Sequence, residues 1–73
     1  MSEINQKICN YIAKEWIQKS KSNRTFAIDH NIDEKTVRKI LQKEGYEIPL
    51  ITLIRICEAK EMKLSTFFKL LNI

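Results

Sequence analysis

Glycine and proline are almost absent from this chain, which has one of each in 73 residues. Both residues interrupt regular helices, so their scarcity leaves few positions where a helix is forced to break. The chain is also 44% hydrophobic and rich in Lys, Glu, Ile and Leu. This composition favours helices joined by short turns, and we predict an all-α fold in a single domain covering residues 1–73.

Residues that carry chemistry are few as well: one histidine, two cysteines and nine scattered carboxylates. Cys9 and Cys57 are 48 positions apart, without a CxxC motif or a flanking histidine pair, so the spacing supports neither a zinc site nor a thioredoxin-like motif. We expect both cysteines to fill a helical core. No nucleophile–base pair, paired-carboxylate motif or metal-ligand spacing supports an enzyme, and we predict no metal, no cofactor and no small-molecule substrate.

Long apolar runs are missing. Charged residues interrupt the N-terminal segment, so it lacks the pattern of a signal peptide, and no run approaches the roughly 18 apolar residues of a membrane helix. We therefore expect no membrane association and a cytoplasmic protein.

The apolar spacing predicts a compact bundle of five helices. Ser2 is a candidate N-cap for the first helix, and Gly45 is expected to end the third. Pro49 suits the start of the fourth, where Ile51 to Ile54 is also compatible with a strand. The predicted helices span approximately Glu3 to Lys19, Arg24 to His30, Glu34 to Lys43, Pro49 to Lys60 and Leu64 to Leu71.

The net charge of +4 is concentrated in one segment. Positions 19 to 43 hold seven basic and three acidic residues, whereas the rest of the chain holds six of each. A localised basic patch is typical of a surface that binds phosphate, although a solvated lysine-rich face has the same composition.

Two short predicted helices meet in this basic segment at the turn Asn31-Ile32-Asp33. Asn31 tolerates the left-handed backbone conformation that ends a helix, Asp33 is a good N-cap, and Ile32 can fill the angle between the helices. The second helix can bury Val37, Ile40 and Leu41 and expose its polar residues. This is the plan of a helix-turn-helix, in which the second helix enters the major groove of DNA.

A longer series of positions resembles the helix-turn-helix domain of the lambda repressor and Cro class, also called the xenobiotic-response-element type. The family usually has Gly at Asn31, a Leu-Gly pair at Lys60 and Glu61, and often a small polar residue at Lys63, so the chain departs from it there. The resemblance covers roughly residues 4 to 72 and rests on Phe26-Ala27, Asn31-Ile32-Asp33, Thr36-Val37, Ile40, Gly45, Pro49, Leu53, Ile56, Ala59, Leu64 and Phe67-Phe68.

The resemblance implies a DNA-binding regulator, usually dimeric, with a recognition helix at about residues 33–43. Glu34 has two interpretations, as a cytosine contact or as an acidic residue that stabilises the helix N-terminus. The base-contacting positions implied are Glu34, Lys35, Thr36, Arg38 and Lys39. The phosphate-contacting positions implied are Asn23, Arg24, Thr25, Lys43 and Tyr46. We expect His30 to lie at the surface without contacting DNA.

Trp16, Phe26, Phe67 and Phe68 stand at helical spacing on apolar faces, so we expect them mainly in the core. Together with Leu71 and Ile73, however, Phe67 and Phe68 exceed what one small core is expected to absorb. They predict a homodimer interface formed by Phe67, Phe68, Leu71 and Ile73. The sequence therefore predicts a sequence-specific regulator that binds double-stranded DNA as a two-fold dimer. The alternative is a protein-binding module, such as an antitoxin or adaptor subunit, that offers the acidic residues Glu44, Glu47, Glu58 and Glu61 to a partner.

Overall fold

The computed structural model describes residues 3–42 and 46–73. These residues form five helical segments and no strand, so the all-α prediction is confirmed. Ser2, Lys43, Glu44 and Gly45, for which the sequence predicted a cap, a phosphate contact, an acidic surface residue and a helix end, lie outside the described residues. The helices are α1 (Glu3–Tyr11), which continues as a π-helix (Ile12–Ile17), α2 (Asn23–Asp29), α3 (Glu34–Ile40), α4 (Leu50–Ala59) and α5 (Leu64–Leu70).

The first helical segment ends two residues before the predicted Lys19, and its second half is wider than an α-helix. The backbone N–H of Gln18 donates to the carbonyl of Ala13 at 3.0 Å, which is the i to i−5 bond of a π-helix. Apolar spacing does not report this change of pitch, so the prediction was a uniform helix.

Three helices end in the same way, with a left-handed residue that is not glycine. Asn31, Glu61 and Asn72 have φ values of 56°, 54° and 59°. At each end the next residue donates its backbone N–H to the carbonyl five positions earlier, as Ile32 does to Ala27 at 3.0 Å and Met62 does to Cys57 at 2.9 Å. The left-handed residue itself donates to the carbonyl three positions earlier, as Asn31 does to Ile28 at 3.3 Å. The two bonds together form a Schellman motif, which satisfies carbonyls that the helix leaves free.

One core joins all the helical segments. Cys9 and Cys57 are buried in it as free thiols, as predicted. Leu41, which the sequence placed in the core, is 38% exposed, because α3 ends at Ile40 and the next residue already leaves the buried face. The buried apolar residues are Ile8, Cys9, Ile12, Ile17, Phe26, Ala27, Val37, Ile40, Leu53, Ile56, Cys57, Phe67 and Leu71.

Candidate nucleic-acid interface

Local bonds fix both ends of α2 and lead into α3. Ser22 caps α2, since its Oγ accepts the backbone N–H of Thr25 at 3.0 Å. At the other end, the left-handed Asn31 turns the chain and Ile32 packs against the core. Asp33 precedes α3 in an extended conformation but makes no side-chain cap bond, so its predicted position is confirmed and its predicted bond is not.

The α3 helix has one buried face and one open face. Val37 and Ile40 are almost completely buried and hold the helix against the core. At about 100° of rotation per residue, Lys35 points almost directly away from that face. Glu34 and Arg38 then lie on one flank of Lys35, and Thr36 and Lys39 lie on the other.

The five predicted base-contacting residues therefore share the outer side of α3. Glu34, Lys35, Arg38 and Lys39 are exposed, and Thr36 is half-buried. Arg38 Nη1 donates to Glu34 Oε2 at 3.2 Å, one helical turn apart. Such exposed pairs contribute only about 0.3–0.5 kcal/mol, so a nucleic acid can displace this one at little cost. The bond gives Glu34 a partner within the helix, and Glu34 also lies in the first turn of α3, where an acidic residue is favourable.

The predicted phosphate-contacting residues fall into two groups. Arg24 is exposed at the start of α2, with Asn23 and Thr25 half-buried beside it. Thr25 is also part of the cap, because its Oγ1 accepts a bond from Ser22 Oγ at 3.0 Å. Tyr46 lies elsewhere: it packs against the core, and burial, with a smaller contribution from Cys9, raises the pKa of its hydroxyl.

His30 is not at the surface, so that prediction was wrong. It is 5% exposed, and its ring stacks on Phe26 with the centroids 3.8 Å apart. Its Nδ1 lies 2.8 Å from the carbonyl oxygen of Phe26, which can only accept, so Nδ1 carries the proton. Burial lowers the pKa of the ring, and the charge of Lys60 lowers it further, while the bond to Phe26 and the charge of Asp29 act in the opposite direction.

The predicted dimer residues divide between core and surface, which corrects the proposed interface. Phe67 and Leu71 are buried, Phe67 completely. The Phe67 ring packs edge-on against the ring of Tyr11, with the centroids 5.6 Å apart, and its centroid lies 5.3 Å from that of Trp16. Neither residue can meet a partner chain without unfolding. Phe68 is half-buried and Ile73 is exposed. The core absorbs more aromatic volume than expected because Tyr11 and Trp16 extend it over α5.

A polar depression beside α3 was not predicted. The turn and α3 contribute one wall, and Thr52 and Arg55 of α4 contribute the other. Thr52 and Arg55 are three positions apart and so share one face of their helix, but nothing in the sequence shows that this face adjoins α3. The lining residues are Asn31, Ile32, Asp33, Thr36, Thr52 and Arg55.

Other kinds of site find no support within the described residues. No cluster of three or more His, Cys, Asp or Glu side chains there is placed to hold a metal ion. Burial raises the pKa of both thiols, Cys9 and Cys57, which favours the unreactive protonated form. None of the helices in residues 3–42 and 46–73 combines the length and apolar character needed to cross a bilayer.

No protein-family model matches the chain, and no curated protein or solved structure matches it either.

Proposed function

We propose that this protein is a sequence-specific regulator that binds double-stranded DNA, with α3 in the major groove and one α3 helix per half-site of a two-fold dimer. The observation that carries the proposal is the division of α3 into two faces. Val37 and Ile40 fix the helix from behind, while Lys35, Arg38 and Lys39 face outward together. Arg and Lys side chains on such a face match the guanine O6 and N7 acceptors of the major groove.

The backbone conformation at two positions where the sequence differs from the family supports the resemblance to the lambda repressor and Cro class. That family usually has glycine where this chain has Asn31 and Glu61, and both residues adopt the left-handed conformation that glycine favours. The chain therefore keeps the helix ends that the family's glycines imply, with different side chains.

Selection of bound sites from a random duplex library tests the proposal. We expect an enriched site with two related halves whose centres are about 10–10.5 base pairs apart, bound by two chains per duplex. Lys35→Ala, Arg38→Ala and Lys39→Ala should weaken binding, and those that contact guanine should also relax preference at one position, at about 1–3 kcal/mol each.

Lys69→Ala is the matched control, because Lys69 is an exposed lysine on α5, outside the helix-turn-helix. It should leave site preference unchanged. Equal affinity for every duplex sequence would refute a sequence-specific regulator, and unchanged affinity and preference in all three α3 variants would refute the role of α3.

Two exposed apolar residues favour a second candidate, the protein-binding module. Leu50 and Ile51 begin α4 and are 61% and 56% exposed, and the predicted acidic positions Glu47, Glu58 and Glu61 are also exposed. Salt dependence separates the two candidates. A protein making several phosphate contacts loses orders of magnitude in DNA affinity between about 50 and 200 mM salt, whereas a mainly apolar protein interface does not.

A further inference from the structure

We infer that Arg55, on α4, is a phosphate-contacting residue that grips the DNA backbone on the Lys39 side of α3. The inference rests on the proposed function, since it concerns the nucleic acid that α3 would bind. It adds a phosphate contact on α4, outside the helix-turn-helix, and the sequence analysis assigned no phosphate contact to that helix.

Arg55 lies close to the start of α3. Arg55 and Thr52 line the same depression as Thr36. Thr36 and Lys39 occupy the same flank of α3, on the opposite side of Lys35 from Glu34 and Arg38. Arg55 therefore lies on α4 beside the flank of α3 that carries Thr36 and, one turn further on, Lys39.

The groups available at this place suit a phosphate. Arg55 is exposed and has no hydrogen-bond or ion-pair partner among the described residues. Three other cations do have partners: Lys19 pairs with Glu15 at 3.2 Å, Arg38 pairs with Glu34 at 3.2 Å, and the Lys60 Nζ lies 5.4 Å from the ring centroid of Trp16. Thr36 and Thr52 line the same depression as Arg55, and hydroxyl and guanidinium groups commonly contact DNA phosphates.

The shape of a DNA duplex explains why a phosphate contact from α4 is useful beside α3. A helix in the major groove lies between two sugar-phosphate backbones, and phosphate contacts set its register and orientation. Arg24 and its neighbours supply contacts at the start of α2. Arg55 supplies a cation next to the α3 flank that carries Lys39, which lets the domain hold the backbone from α4 as well.

Asp33, which carries a negative charge, lines the same depression. A phosphate bound by Arg55 is close to this negative charge, which opposes binding. Asp33→Asn removes the charge and keeps a residue that caps helices equally well. If a phosphate occupies this place, the neutral variant binds DNA more tightly, and the gain depends on Arg55.

The experiment measures affinity for the selected duplex and for an unrelated duplex as a function of salt. Arg55→Gln should weaken both by a similar factor, leave site preference unchanged and reduce the slope of log K against log salt by about 0.9, the value for one phosphate contact. Asp33→Asn should strengthen binding in the wild-type background, and the gain should be clearly smaller in the Arg55→Gln background. Lys69→Gln is the control, with slope and affinity unchanged.

The outcomes separate this inference from the proposed function. If the wild-type protein binds no duplex specifically, the proposed function fails. If it binds specifically but Arg55→Gln keeps the wild-type affinity and salt slope, the role of Arg55 is refuted, whereas the proposed role of α3 in the major groove is not. A change of base preference in Arg55→Gln also refutes it, since a phosphate contact carries no direct sequence information.

Discussion

Single residues control how three helices of this protein end. Glu61 has a side chain where the backbone, at φ 54°, favours glycine. A left-handed residue with a Cβ costs roughly 1–2 kcal/mol, and asparagine reduces that cost by local hydrogen bonding, which suits Asn31 and Asn72 better than it suits a glutamate. Glu61 is therefore the residue at which the fold carries the clearest backbone strain.

Glu61→Gly should stabilise the protein by about 1 kcal/mol, because it relieves this backbone strain. The stabilisation is smaller than the full strain energy, because glycine also raises the conformational entropy of the unfolded chain. Urea unfolding gives the change as a shift in the midpoint. Glu61→Gln is the matched control, because it removes the charge and keeps the Cβ, and it should leave the midpoint nearly unchanged. Equal stabilisation by both variants would assign the effect to charge instead of backbone conformation.

Helical elements were predictable to the extent that apolar spacing and caps define them. The turn Asn31-Ile32-Asp33 and the start of α4 after Pro49 were found correctly, since each depends on residues with strong local preferences. The π-helix was missed because it changes hydrogen bonding without changing composition. The burial of His30 was also missed, since the ring stacks on Phe26 and its Nδ1 bonds to the Phe26 carbonyl, so it needs no solvent partner there.

The candidate interface was predictable only where it lies on a single element. The exposed face of α3 follows from helical periodicity alone. Arg55 was not found because its relation to Thr36 depends on how α4 packs beside α3, and a single sequence does not contain that packing. For the same reason, Phe67 was assigned to a dimer interface as well as to the core, although the rings of Tyr11 and Trp16 pack against it in the core.

The two faces of α3 should respond differently to substitution. Ile40 is buried, so Ile40→Ala removes core contacts and should lower the free energy of unfolding by about 2–5 kcal/mol. Lys39 is exposed, so Lys39→Ala should change stability by no more than about 0.5 kcal/mol while it weakens DNA binding. Urea unfolding and binding measured on the same two variants give both quantities. A large loss of stability in Lys39→Ala would contradict an open outer face.

The whole molecule should lose stability as the solution becomes acidic, and His30 provides the reason. Its pKa is lowered in the folded protein, chiefly by burial and then by the charge of Lys60. Below the unfolded pKa of about 6.5, the unfolded chain binds a proton that the folded chain resists. The stability contributed by the neutral ring is therefore complete above that pH and is lost as the pH falls toward the folded pKa.

Urea unfolding between pH 7.5 and about pH 5 measures this effect, since one proton changes the free energy of unfolding by at most about 1.4 kcal/mol per pH unit. We expect the wild-type protein to lose stability over this range. His30→Leu removes the titrating ring, so it should be less stable at pH 7.5 but show a shallower decline. An equally steep decline in His30→Leu would assign the pH dependence to the carboxylates. His30 would then affect stability only by packing on Phe26.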